Sequence, residues 1–259
     1  MKKILYLVSV SVLFFTSCIP NPEEDPDPVV NVNDILVKKV TEIGTNGDEY
    51  FVEFTYSGKK FAQSIDSDGI RTVYTYEQDL LVKEESFDGT ILVEKATYVY
   101  DISNNLITYV DLDYETNTGE RWVYVHNSNG TISYQEYTGG LNEQTQADVT
   151  GTISATQYIE NDINPITQQT QIFTEVFTYD TKNFPFKNVT GINKVCFAGS
   201  DSTTNYTNNI ISQTEQIDDA TPEISYNIVY VYNTNNFPVT STVTSGNGVI
   251  RNTEKFIYY

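Results

Sequence analysis

The feature that most constrains this chain is a short pattern that recurs along it. Two aromatic residues stand one position apart, then comes Asp or Asn, then a polar turn. It reads most clearly in Phe177-Thr-Tyr-Asp-Thr-Lys-Asn-Phe-Pro-Phe186 and Tyr230-Val-Tyr-Asn-Thr-Asn-Asn-Phe-Pro-Val239. Further pairs are Phe54/Tyr56, Tyr74/Tyr76, Tyr98/Tyr100, Trp122/Tyr124 and Phe256/Tyr258. Rings two residues apart lie on one face of a strand. Asp and Asn suit the turn because their side chains bond nearby backbone and tolerate left-handed dihedrals. The unit is therefore a β-hairpin signal.

The second rings Tyr56, Tyr76, Tyr100 and Tyr124 are 20, 24 and 24 residues apart, and the next gaps, to Tyr179 and Tyr232, are 55 and 53. A period in this range marks a repeat, and each long gap is expected to hide a degenerate unit, at Tyr158 and Tyr206. Leu and Ala are scarce while Thr, Asn, Tyr and Val are plentiful, which favours strands. The expected fold is all-β: an antiparallel meander of hairpin units, as an open single-layer sheet or a partly rolled one.

The N-terminus reads as a targeting segment. Lys2-Lys3 precedes an apolar run from Ile4 to Phe15, too short to span a bilayer and suited to a signal peptide. Phe15-Thr-Ser-Cys18 resembles the lipobox of bacterial lipoproteins, which makes Cys18 the expected lipidation site. Pro20-Asn-Pro-Glu-Glu-Asp-Pro-Asp-Pro28 is a stiff acidic tether. The expected organisation is a signal peptide over residues 1–17, lipidated Cys18 and tether over 18–33, and a single β domain over 34–259. The acids after the cysteine resemble surface-export signals of Bacteroidota lipoproteins; a plain spacer is the alternative. The expected location is the outer membrane, reached through the lipid anchor, on the cell surface or the periplasmic face.

A formal charge of −20 argues against nucleic acid as a partner. With Cys18 acylated, Cys196 has no partner for a disulfide and reads as a buried small hydrophobe. One histidine, His126, excludes most triads and multi-His metal sites. Carboxylate pairs such as Glu84-Glu85 and Asp218-Asp219 could serve a hydrolase, although neighbouring acids in so acidic a chain are expected in solvated loops. A calcium loop starting at Asp111 would need glycine at its sixth residue, which is Thr116. No metal or cofactor is expected, and no enzymatic activity.

The regular rings read either as a core stripe or as a platform for sugars or partner side chains. Repetition in every unit favours the core. Trp122, Tyr124 and Arg121 are the candidate ligand-binding exception. Ser202, in Asp201-Ser-Thr203, resembles a short O-glycosylation sequon of Bacteroidota.

The units Thr97-Tyr-Val-Tyr-Asp101, Phe177-Thr-Tyr-Asp180 and Tyr230-Val-Tyr-Asn233 resemble the YD repeats of the RHS type. The chain from Leu36 to Tyr259 looks like Bacteroidota outer-membrane lipoproteins built from them, a family of unassigned function. Most units lack that family's glycine after the turn. The resemblance implies fold and location. The function expected is that of a non-enzymatic, lipid-anchored protein presenting a β surface to a glycan or an envelope protein, or else of a structural component facing the periplasm.

Overall fold

The computed structural model describes residues 31–163, 168–199 and 203–259. Cys18 and Ser202 lie outside them. Among the described residues sixteen strands follow in order: β1 (Val37–Gly44), β2 (Glu49–Ser57), β3 (Lys60–Asp66), β4 (Ile70–Glu77), β5 (Leu80–Asp88), β6 (Ile91–Tyr100), β7 (Leu106–Asp113) and β8 (Thr118–His126). The second half is β9 (Ile132–Gly140), β10 (Glu143–Ile153), β11 (Gln157–Ile163), β12 (Thr170–Tyr179), β13 (Ile210–Ile217), β14 (Glu223–Tyr232), β15 (Pro238–Ser245) and β16 (Ile250–Tyr258). Each strand pairs antiparallel with its neighbours in sequence, and β1 pairs with β16 to close a barrel.

The chain is all-β and antiparallel, but the open or partly rolled sheet is wrong. Val40 faces Phe256 and Ile43 faces Thr253, so both edges an open sheet would expose are used against each other. The repeat unit carries the device that makes closure possible. The register slips immediately before the second ring at Thr55/Tyr56, Thr75/Tyr76, Val99/Tyr100, Thr178/Tyr179 and Val231/Tyr232. Such bulges bend a strand and raise its twist. Tyrosine hydroxyls then bond carbonyls at the bulged ends: Tyr56 Oη to Val37 O at 2.7 Å, Tyr100 Oη to Leu81 O at 2.6 Å and Tyr258 Oη to Pro238 O at 2.7 Å. His126 stands in for tyrosine in its unit, with Nε2 2.8 Å from Leu106 O.

The turn chemistry accounts for the Asp or Asn. Asp101 Oδ1 accepts from the amides of Ser103 and Asn105, and Asn233 Oδ1 from those of Asn235 and Phe237. Asn104 and Asn236 take the left-handed position, at φ 60° and 62°.

Alternation sends one register of every strand inward. Trp122 and Tyr124 are 4% and 3% exposed, whereas the next outward residue, Val125, is 59% exposed. Leu106, Phe237 and Ile153 are fully enclosed. One barrel end is plugged. In its described residues, 180–199 and 203–209, the connection between β12 and β13 folds inward around a single helical turn, α1 (Ile192–Val195). Phe186 packs on Phe54 and Phe61, while Phe197 meets Tyr124 edge-on at 5.3 Å. Gly191, at φ 84°, passes so close to β5 that a Cβ would lie 2.8 Å from Asp79 O. Tyr206 therefore belongs to the plug rather than to a degenerate hairpin. Tyr158 does belong to a strand, β11, and is 2% exposed.

The inside and outside faces differ in what they contribute to stability. Leu106→Ala should cost about 2–5 kcal/mol through transfer and cavity terms, against about 0.5 kcal/mol for Val125→Ala. Urea unfolding measures both, and equal costs would contradict the assigned faces.

Candidate functional site

The strand registers sort charge as sharply as they sort rings. Lys83, Lys95, Arg121 and Lys255 alternate with the inward Glu84, Ala96, Trp122 and Phe256, and so face outward. Outward acids are paired there: Lys83 Nζ is 2.7 Å from Glu85, and Lys39 Nζ 3.0 Å from Glu53. Between these charges the outer wall carries Thr97, Thr108, Gln135, Thr152, Thr174, Ser212 and Thr242 among scattered Val and Ile. A barrel that crosses a membrane shows lipid an apolar band edged by aromatic girdles and keeps its polar face inside. This barrel differs from that arrangement: its rings and a set of acids face inside, and its outer wall mixes Lys, Arg and Thr with exposed Val and Ile.

The inward acids gather toward the end opposite the plug, which is open among the described residues. They share the period-two register of the rings, as in Tyr109-x-Asp111-x-Asp113, Glu120-x-Trp122-x-Tyr124 and Tyr158-x-Glu160-x-Asp162. Across the sheet Asp111 faces Glu120, Glu94 faces Asp113 and Trp122 faces Glu136. This wall spans β5 to β11. Tyr98 Oη donates to Glu84 at 2.6 Å, Tyr109 Oη to Asp111 at 3.2 Å and Tyr158 Oη to Glu160 at 2.7 Å. No lysine or arginine of the wall strands shares the acids' inward register.

Burial is the leading cause that raises these carboxyls above their ordinary values, with neighbouring acids adding to it. Glu136 is pushed up to about 7 by burial and then by Glu120, Asp148 and Glu160. Glu84 rises to about 6, against the lowering effect of the Tyr98 hydroxyl. Glu94, Asp111 and Glu120 are raised for the same reasons. Asp111 Oδ1 is buried with no hydrogen-bond partner. The Trp122 indole N–H is turned toward Glu136 and slightly lowers its pKa, yet has no partner at full hydrogen-bond geometry. Among the described residues no three metal-ligating side chains converge on one point. The acids are spread along a wall, which suits several positive charges in a row better than one ion.

The candidates read from sequence separate accordingly. Trp122 and Tyr124 face the lumen, with Tyr124 Oη accepting from Gly199 N at 3.1 Å. Arg121 is on the outer face, where its guanidinium donates to Gln144 O at 3.0 Å and lies 4.0 Å over the Tyr137 ring. Glu84 and Glu85 point to opposite faces, and Asp218 and Asp219 follow β13 in a turn. Cys196 ends α1 half-buried, its thiol pushed up to about 12 by burial. The acidic wall is not visible from chain neighbours, because it is assembled across strands β5 to β11. Its shared register with the rings was the available signal.

No family model and no curated protein matches the sequence. Among solved structures, the crystal structure of a porin-like protein from Bacteroides uniformis ATCC 8492 is similar, at 11% sequence identity and a TM-score of 0.48, over 86% of this chain and 96% of that chain.

The raised carboxyls give the barrel a defined pH response. Glu84 and Glu136 hold their protons more tightly folded than unfolded. The stability they contribute is complete below the ordinary value of 4.5 and is lost as pH rises through about 6 and about 7. The urea midpoint should therefore be higher at pH 5 than at pH 8. Glu136→Gln should raise the midpoint at pH 8 and shrink the difference. A midpoint that falls on acidification through this window would contradict the assignment.

Proposed function

We propose that this chain is a non-enzymatic binding protein of the bacterial envelope, tethered to the outer membrane through lipidated Cys18. In this reading the barrel stands in water, and its acidic lumen receives a cationic segment of a partner protein. Charge sorting is the observation that carries it. Wall cations face outward and wall acids inward, so a positively charged chain entering the unplugged end meets attraction without a competing lysine or arginine. A low-dielectric channel lined by one sign of charge focuses the field and raises the local concentration of counter-charged ligand.

Several features support the tethered rather than inserted form. Lys83, Lys95 and Arg121 lie within strands on the outer wall, where a cation at the bilayer midplane would cost about 2–4 kcal/mol. The sequence supplies the alternative attachment in Phe15-Thr-Ser-Cys18 and the Pro-rich tether. The glycan reading draws on Trp122 and Tyr124, but both rings are enclosed between wall and plug, which leaves little ring face for a sugar.

Two measurements test the proposal. Calorimetry on the mature protein should show saturable binding of a Lys-rich peptide at low salt, with at least about a tenfold loss on raising salt. An acidic peptide should not bind, and the double variant Glu120→Gln, Glu136→Gln should weaken the basic peptide about tenfold or more. No binding at low salt, or equal binding of both peptides, would sink the lumen reading. Separately, Cys18→Ala should move the chain from the membrane fraction to the soluble fraction. Retention at the membrane would contradict the anchor.

A further inference from the structure

A second cavity, of about 290 Å³, lies between the plug and a different arc of the barrel, formed by β13, β14, β16 and β1. Phe184 and Phe186 of the plug face Val40, Ile228, Tyr230 and Phe256 of the wall. Glu254 and three carboxamides, those of Asn205, Asn208 and Asn209, interrupt this apolar lining; Asn205 and Asn208 accept from the Thr207 hydroxyl, which leaves two further acceptors. Glu254 is the first; Ser241 Oγ donates to its Oε2 at 2.6 Å, and burial raises its pKa. Asn209 is the second, 1% exposed.

The orientation of Asn209 is fixed by what holds it. Its Nδ2 donates to both Asp180 oxygens, at 3.0 and 3.3 Å, and its backbone amide donates to Asp180 Oδ1 at 3.1 Å. The Asp180 carboxylate also accepts from the Tyr232 hydroxyl, and so can only receive donors there. A flipped amide would set oxygen against oxygen. Asn209 Oδ1 must therefore turn away from Asp180, and it is left buried with no hydrogen-bond partner. Buried polar atoms are ordinarily satisfied. An amide pinned so that its carbonyl is unmatched, in the lining of an apolar cavity, is the mark of a prepared ligand contact.

We propose that this cavity binds a small organic amine. Its ammonium group would donate to Asn209 Oδ1 and Glu254, while its apolar body packs on the rings of Phe184, Phe186 and Phe256. Tyr230 adds an aromatic face for the positive charge. The Glu254 carboxylate and the unmatched Asn209 carbonyl, with no lysine or arginine among the described lining residues, select for a cation and against an anion. The apolar walls select for a body of roughly one ring, as the volume allows. The site stands apart from the acidic wall of β5 to β11, none of whose carboxylates line it.

The test is calorimetry on the mature protein with benzylamine, benzyl alcohol and benzoate, at about 0.5 M salt so that attraction by the lumen is screened. Benzylamine should bind one site saturably. Benzyl alcohol should bind at least tenfold more weakly, and benzoate not at all. Ile228→Trp, which fills the cavity without touching either acceptor, should abolish the binding. Glu254→Gln, nearly isosteric, should weaken it about tenfold. The Lys-rich peptide should still bind both variants at low salt, which separates this site from the lumen. No saturable benzylamine binding, comparable affinity for the alcohol or benzoate, or binding that survives Ile228→Trp would overturn the proposal.

Discussion

The interior of this protein depends on one pairing, that of β1 with β16. Until those strands meet, the stripe of tyrosines is one face of a sheet with two open edges and water on both sides. Once Val40 faces Phe256, the rings have a shared inside, the plug has a chamber to fill, and the outward register becomes a continuous wall. Both acid sites need that inside. A carboxylate on an open sheet would be solvated; Glu84 and Glu136 are held above their ordinary pKa because closure takes them out of water and sets other acids near them.

Closure also explains why the repeat takes its particular form. Most aromatic pairs sit where the ladder slips by one residue, so those hairpins add a bend and extra twist; Trp122/Tyr124, on the unbroken β8–β9 ladder, is the exception. At Tyr56, Tyr100 and Tyr258 the second tyrosine does two jobs in that place: its ring packs inside, and its hydroxyl bonds a carbonyl at the bulged end of an earlier hairpin. That His126 can replace tyrosine by reaching Leu106 O indicates that a donor at this reach is what the position requires. The turn Asp or Asn, with its two amide contacts, fixes the loop that brings the next strand back. Local chemistry thus sets the curvature, and curvature repeated around the sheet brings the two ends together.

Much of this was legible in the sequence. The ring pairs at period two and the Asp and Asn turns are local signals, and the all-β antiparallel meander follows from them. Closure was not legible, because it rests on contacts between residues more than two hundred positions apart, such as Glu42 and Asn252. The plug was hidden by its likeness to the repeat: Tyr206 followed by Asn208-Asn209-Ile210 looks like another hairpin, yet only Ile210 onward is strand. The acidic wall could have been read by extending the ring register along each strand, from Tyr109 to Asp111 and from Trp122 back to Glu120. Asn209 could not, since its significance lies in the carboxylate of Asp180, 29 residues earlier.

In the proposed function the barrel's outer wall faces water while its lumen gathers negative charge. Sedimentation velocity of the mature chain, expressed without residues 1–18, tests this most directly when run with and without detergent. The proposal predicts a folded, homogeneous species in detergent-free buffer, with the same near-ultraviolet circular dichroism in both conditions. Aggregation without detergent, together with recovery of the folded spectrum only in micelles or lipid vesicles, would contradict it.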